Sequence, residues 1–248
     1  MSSTFAGDDE ETARRAEAVI ERLIDALNDL ASTGSVRVKA GQDRTFLAAY
    51  GWWAFITRSA EAVLTLRRSG LEHEASPIVR SILQHALVLQ WLLEVGDPAV
   101  DAVGEYGDGN TRLLLQTMQQ ANWPPIPGFN VTAAPKPQSP NPLISKIKNF
   151  EELCILYDAR MLYVAFRLLS SYVHPTSVGA MAYIDQASAT LADRATGPAG
   201  PNIIQTAMCL IQSGRAINEC LEGDPLRSVL TETEATLGTE IELWKRRS

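Results

Sequence analysis

Cysteine is scarce in this chain, and the few cysteines are scattered. Three cysteines in 248 residues can form neither a disulfide framework nor a four-ligand zinc site. Each lies in an apolar helical pattern, so we expect all three to be small buried hydrophobic side chains: Cys154, Cys209 and Cys220. The three histidines are also far apart in the sequence and predict no metal site, and we expect no cofactor.

Long apolar runs are missing as well. The longest, residues 86–95, is interrupted by Gln90 and Glu94 and falls short of the roughly 18–20 residues that a membrane span needs. Residues 1–11 are small, polar and acidic, unlike a secretory signal with its basic start and apolar middle. We therefore expect a cytoplasmic protein with no membrane partner, whose first 11 residues form a disordered acidic tail.

Positive charge is in deficit, with a formal net charge of −7. Affinity for a nucleic-acid backbone comes mainly from clustered lysine and arginine, so this balance argues against a broad nucleic-acid-binding surface. It is compatible with a small, locally basic cleft.

Apolar residues recur at three- and four-residue spacing along most of the chain, which is typical of amphipathic helices. We predict an all-α protein, a single antiparallel bundle of about seven or eight helices over residues 12–248. Proline and glycine signals divide the chain into these predicted helices: 13–30, 43–70, 76–95 (opened by Ser76-Pro77), 97–123 with an interruption at 104–109, 149–173, 177–195, 202–221 and 225–245.

Residues 123–142 carry seven of the thirteen prolines and no periodicity. Proline lacks a backbone donor and disrupts helices, so the segment predicts a long surface loop that covers a cleft or reaches a partner.

Within the predicted helix 149–173, residues 161–169 include a single charged residue, Arg167, with apolar residues on nearly every side. This pattern predicts that Arg167 is buried. A guanidinium cannot lose its proton, so a buried Arg167 must find carboxylate or carbonyl partners.

His174 follows Arg167 by seven residues, which is close to two full helical turns, so both side chains lie on one face. Tyr163, Ser170 and Ser171 lie on the same stripe. The helix therefore carries a polar seam that ends at His174-Pro175.

Two other helices carry polar seams. Arg80, Gln84 and His85 lie on the helix of residues 76–95, and Arg58 and Glu61 lie on the helix of residues 43–70. If these helices are neighbours, the three seams converge on one cluster, in which Glu61 balances part of the arginine charge.

A structural interpretation stands beside this one. Arg167 pairs with Glu61 or Asp158 to fix the packing, and His174 caps a helix C-terminus. His73 lies between Glu72 and Glu74 in a loop and is expected to be solvated. The glycine-rich residues 104–109 follow no strand, and no serine is flanked by glycines, so neither a dinucleotide loop nor a serine triad is predicted.

The segment Arg167-Leu-Leu-Ser-Ser-Tyr-Val-His174 resembles the HEPN superfamily, whose helical bundles carry an arginine and a histidine near the end of a core helix. Residues 45–185 also resemble an uncharacterised bacterial helical family with arginine-rich central helices and a Ser-x-x-x-His-Pro ending. The position after the arginine is usually polar in HEPN proteins, and here it is Leu168.

The HEPN resemblance implies a metal-independent endoribonuclease of a toxin or antiphage system. His174 would be its acid–base residue, and Arg167 would neutralise charge on the phosphorane. The implied partners are RNA or a nucleotide, a second copy of the chain in a homodimer, and an antitoxin or defence-system protein.

Two other functions remain open. A non-catalytic interaction or regulatory module would use the polar seams only to specify helix packing. A small-molecule-binding protein would use Trp52, Trp53 and Trp91 as pocket walls, although tryptophans on helices are more often core residues. An exposed Arg167–His174 pair in a concave, basic setting favours the enzyme, and a sealed, fully bonded pair favours the interaction module.

Overall fold

The computed structural model describes residues 9–33, 36–124, 135–185, 188, 190–195 and 201–247. Helix accounts for 71% of the described residues, which confirms the predicted all-α class. The ten helices within these described ranges are α1 (Asp9–Thr33), α2 (Asp43–Arg68), α3 (Ser76–Val95), α4 (Asp97–Gln120), α5 (Ile144–Lys148), α6 (Phe150–Leu156), α7 (Arg160–Val173), α8 (Ser177–Met181), α9 (Pro201–Asn218) and α10 (Arg227–Leu237). Two short strands, β1 (Ile184–Asp185) and β2 (Thr190–Leu191), pair antiparallel.

Helix α3 lies at the centre of the bundle and packs against α2, α7 and α9. Leu83, Leu87, Leu89, Leu92 and Trp91 are almost fully buried, as expected for a helix that is apolar on most sides. By length and composition, α3 could cross a membrane. This differs from the expectation that the longest apolar run, residues 86–95, is too short for a membrane span. Neighbouring helices bury 56% of that apolar window, so α3 serves as the core helix.

Helices α1, α9 and α10 pack together on the side of the bundle away from α7. One continuous apolar cluster joins residues from α1 through to Ile241, beyond the end of α10. The side chain of Gln90, 1% exposed, bonds to the backbone of Trp244: Gln90 Nε2 donates to the carbonyl at 2.7 Å, and Gln90 Oε1 accepts from the amide at 3.2 Å. The last residues are therefore anchored to α3.

Several predicted boundaries are wrong. Residues 9–11, assigned to the tail, already belong to α1, whereas residues 1–8 lie outside the described residues. Residues 104–109 continue α4 without interruption, because each glycine costs only about 1 kcal/mol relative to alanine while the helical hydrogen bonds continue. The last helix ends at Leu237, where Gly238 adopts a left-handed φ of 80°, and not at residue 245.

Two further helices are shorter than predicted. The predicted helix 149–173 is divided at Tyr157–Ala159, where Asp158 has a φ of +51°. The predicted helix 177–195 keeps only α8, and the two-stranded sheet follows it. Residues 135–142 of the proline-rich segment lack regular structure, as expected, and residues 125–134 lie outside the described residues.

Candidate functional site

The site residues are carried by α7. The helix starts at Arg160, and His174 is its C-cap residue with extended backbone angles, φ −90° and ψ 154°. Arg160, Arg167 and His174 follow one another at intervals of seven residues, close to two turns each, so they share one face of α7. All three are exposed. Arg160 was missed in the sequence, although its spacing from Arg167 equals the spacing from Arg167 to His174.

Arg167 is exposed, so the prediction that it is buried is wrong. It makes no hydrogen bond or ion pair with any described residue. The apolar residues beside it misled the prediction, because one side of α7 is uncovered: Met161 is 79% exposed, and Val164 and Leu168 are each 57% exposed. Arg167 is therefore a solvated cation, free to meet a ligand.

Two of the three predicted polar seams do meet. Helices α3 and α7 are antiparallel neighbours, and Arg80 Nε donates a hydrogen bond to Ser170 Oγ at 2.8 Å. The Arg80 guanidinium also lies over the Phe166 ring, with Cζ 4.2 Å from the ring centroid. Ser170 Oγ in turn donates to the Phe166 carbonyl at 2.7 Å. Arg80 is thereby fixed beside the face that carries Arg167.

Gln84 lies one turn after Arg80 on the same face of α3, half-buried and without a hydrogen bond from its side chain to a described residue. Ser171, one turn after Arg167 on α7, donates to the Leu168 carbonyl at 2.6 Å. Both side chains border the site without closing it.

Tyr163 lies on the α7 stripe, but its hydroxyl is engaged elsewhere. It donates to Glu151 Oε2 at 3.1 Å, toward α6. Its ring stacks on Phe166 with centroids 6.2 Å apart. Tyr163 therefore supports the position of Phe166 rather than contacting Arg167.

Arg58 and Glu61 do not belong to the cluster, and their assignment to it is corrected. They pair with each other at 3.0 Å, and Arg58 donates to Asn28 Oδ1 on α1 at 2.6 Å. Glu61 therefore does not balance Arg167. Asp158, the other suggested partner of Arg167, pairs with Arg247.

His85 is also outside the cluster, because it lies on the side of α3 that meets α2. Its Nδ1 is 2.8 Å from the Ser81 carbonyl, so Nδ1 carries the proton of the neutral ring. The ring packs against Phe55 and Trp52, with centroids 4.8 and 6.2 Å away. Burial lowers the pKa of His85 below its ordinary value.

His73 was expected to be solvated, and it is instead half-buried. Its ring meets the Tyr172 ring edge-on, with centroids 5.4 Å apart. This contact joins the loop before α3 to α7, on the flank of α7 opposite Ser170.

His174 ends α7 at a bend that is held by the backbone. Its amide donates to the Ser170 carbonyl at 3.2 Å, and its carbonyl accepts from the Thr176 amide at 2.7 Å. His174 thus stands at the C-cap position that the structural interpretation gave it. The residues from Tyr172 to Ala180 line an open depression at this bend, and His174 forms part of its wall. The histidine is thus at the surface in a concave setting.

The remaining candidates do not gather into a site. Trp53 and Trp91 are 2% and 1% exposed and fill the core, so two of the three suggested pocket walls are core residues. The three cysteines are buried and unpaired, as predicted, and burial raises the pKa of Cys154 to about 12. In the part of the chain that the structure describes, no group of three or more potential ligands could hold a metal ion.

One family model matches the chain, over residues 46–190, which is more than half of its length: the family of unknown function DUF5677. The matched range includes α3 and α7, and hence Arg80, Arg167 and His174. Comparison with curated proteins and with solved structures gives no match.

Proposed function

The chain belongs to the family of unknown function DUF5677, and we propose that it is a HEPN-like, metal-independent endoribonuclease of a cytoplasmic toxin or antiphage system. Its substrate is RNA, and its working form is a homodimer. An antitoxin or another defence-system protein is its regulatory partner.

One observation carries this proposal. Arg167 and His174 lie exposed on the same face of α7, and Arg167 has no carboxylate partner among the described residues. In an acidic chain, an arginine without an ion pair, two helical turns from a histidine on the same face, provides a local anion-binding surface with an acid–base side chain.

The proposed reaction is a transesterification within the RNA. The 2′-hydroxyl loses its proton, the bond from the 2′-oxygen to phosphorus forms, and the bond from phosphorus to the 5′-oxygen breaks as that oxygen takes up a proton. His174 is the acid–base group, and Arg167 stabilises the charge that develops on the phosphorane. The products are a 2′,3′-cyclic phosphate and a 5′-hydroxyl.

The test is incubation of the purified protein with a mixed RNA pool in EDTA, followed by analysis of the RNA ends. We expect cleavage that leaves cyclic phosphate ends, and a loss of about 10²–10⁴-fold in rate for His174→Ala, because acid–base catalysis contributes that much. The melting temperature of the variant should stay close to that of the wild type, since His174 is exposed. His85→Gln is the matched histidine control and should cleave normally.

Equal rates for the wild type and His174→Ala would contradict the mechanism. Cleavage that requires magnesium would contradict it as well.

A second candidate, an interaction module, is favoured by the face of α7 adjacent to Arg167. Met161, Val164 and Leu168 form an exposed apolar strip next to the Arg167 face. Exposed apolar patches of this kind mark protein contacts. Light scattering of the wild type and Val164→Glu tests the strip. A dimer that dissociates in the variant supports homodimerisation through α7, and an unchanged mass places the contact elsewhere.

A further inference from the structure

Arg80 differs from two other partly buried arginines of the bundle, Arg67 and Arg215. Both of these bond to carboxylates, whereas half-buried Arg80 has no carboxylate among its described contacts. Its charge is partly withdrawn from water without a carboxylate among its described contacts, and a guanidinium cannot escape this by losing a proton. An anion from outside the chain would supply the missing partner.

The orientation of Arg80 is already fixed. Its Nε donates a hydrogen bond to Ser170 Oγ, and its guanidinium lies over the Phe166 ring. Phe166 is held in place by Phe150, with ring centroids 4.6 Å apart. Only the two terminal nitrogens remain without a bond to a described residue. They form the part of the guanidinium that binds phosphate oxygens, and because the side chain is already ordered, little conformational entropy is lost on binding.

Arg80 lies beside the face of α7 that carries Arg167. Ser170 lies about 60° around α7 from Arg167, since three residues turn the helix by about 300°. Arg80 approaches Ser170 from α3, and Arg167 lies on the solvent side of the same serine. Arg80 thus contacts Ser170, and Arg167 lies on the adjacent face of α7. Among the described residues, no acidic side chain bonds to either cation.

We infer that Arg80 binds a phosphate of single-stranded RNA adjacent to the one that is cleaved, and so positions the strand across α7. The inference rests on the proposed function, in which Arg167 acts at the scissile phosphate. Arg80 is a positioning residue that contributes to binding before and during the reaction. Its loss should therefore raise KM and leave kcat nearly unchanged, whereas loss of Arg167 should lower kcat.

The direct test is binding of a short single-stranded 2′-O-methyl RNA, which lacks the attacking hydroxyl and so cannot be cleaved. Fluorescence anisotropy gives Kd for the wild type, Arg80→Gln and Arg22→Gln. Arg22 lies on α1, pairs with Glu232, and gives the same change in net charge. We expect Arg80→Gln to weaken binding about tenfold and to reduce the salt dependence by about one counterion, with no change for Arg22→Gln.

Two further variants distinguish the effect of the orientation of the Arg80 side chain from the effect of its charge. Ser170→Ala keeps the charge and frees Nε, so an intermediate weakening is expected. Arg80→Lys keeps the charge but loses the ring contact and the planar fork, and it should also fall between wild type and Arg80→Gln. These two variants decide the question if Arg80→Gln does not fold.

The outcomes separate the two proposals. Weaker binding by Arg80→Gln without any cleavage by the wild type supports the phosphate site and rejects the ribonuclease. His174-dependent cleavage with equal binding by wild type and Arg80→Gln rejects only the role of Arg80. Equal affinity of the wild type for a double-stranded DNA of the same length would reject single-stranded RNA as the ligand. No binding by the wild type overturns the inference.

Discussion

Two arginines of this bundle, Arg67 and Arg167, differ in their burial and in their carboxylate partners. Arg67, at the end of α2, is 12% exposed and contacts three carboxylates: Glu17 at 2.6 Å, Glu10 at 3.2 Å and Glu72 at 3.5 Å. Arg167 on α7 is exposed and has no ion pair among its described contacts. The chain has 29 acidic residues against 22 basic ones, so carboxylates are plentiful.

This difference separates arginines whose charge stabilises the fold from arginines whose charge is available to a ligand. At Arg67 the compensated cation ties α1 and α2 to the loop before α3. On the surface shared by α3 and α7, Arg80 and Arg167 have no such partners in the part of the chain that the structure describes, which leaves a local positive field in an acidic protein.

The largest expected effect comes from removing a carboxylate that serves the fold. Glu234, 9% exposed, accepts from Arg215 Nε at 2.9 Å and from the Ile241 amide at 2.9 Å. Glu234→Ala should lower the free energy of unfolding by about 3 kcal/mol, because it leaves a partly buried cation and an amide without partners. Urea titration measures the change. Exposed Glu240→Ala is the control, and a loss as small as the control's would remove the contrast.

A smaller effect should follow from giving Arg167 a carboxylate. Ser171 lies one turn after Arg167, so Ser171→Glu places an acid beside it. We expect stability to change by less than about 0.5 kcal/mol and affinity for 2′-O-methyl RNA to fall about tenfold. Ser171→Gln, similar in size and uncharged, should bind like the wild type. If both variants bind alike, the free charge of Arg167 does not contribute to binding.

The smallest effect concerns His85, the histidine on the opposite flank of α3. Burial lowers its pKa, so the unfolded chain takes up a proton at a higher pH than the folded one does. The stability that His85 contributes is present above its ordinary pKa. It is lost as the pH falls from that ordinary pKa toward the lower pKa of the folded state. Unfolding by urea at pH 7 and pH 5 should show a smaller loss of stability at the lower pH for His85→Gln than for the wild type. An identical loss would mean that His85 is protonated equally in both states.

The sequence predicted the fold well where local signals were strong. The apolar repeats of α1 and α2 and the Ser76-Pro77 start of α3 correspond to helices in the structure. The division at Tyr157–Ala159 was missed because these residues include no glycine or proline. Asp158 adopts a positive φ there while Tyr157 is buried and donates to Glu94 Oε2 at 2.7 Å, which is a tertiary contact that no local pattern contains.

The candidate site was predicted only in part, because a local pattern does not contain tertiary contacts. Helical spacing placed Arg167 and His174 on one face, and the contact between Arg80 and Ser170 joins two of the three seams. Spacing could not tell which apolar side of α7 the bundle covers, so Arg167 was wrongly predicted to be buried. Nor could it show that Arg58 turns toward Asn28 on α1.

The most direct test measures two properties of two matched variants, Arg67→Met and Arg167→Met. Each protein is assayed for its free energy of unfolding in urea and for its rate of RNA cleavage in EDTA. We expect Arg67→Met to lose about 3 kcal/mol of stability and, at a temperature where it is folded, to cleave at the wild-type rate. Arg167→Met should keep its stability within about 0.5 kcal/mol and lose at least about 100-fold in kcat. Equal losses of stability in the two variants, or cleavage by Arg167→Met at the wild-type rate, would contradict the account.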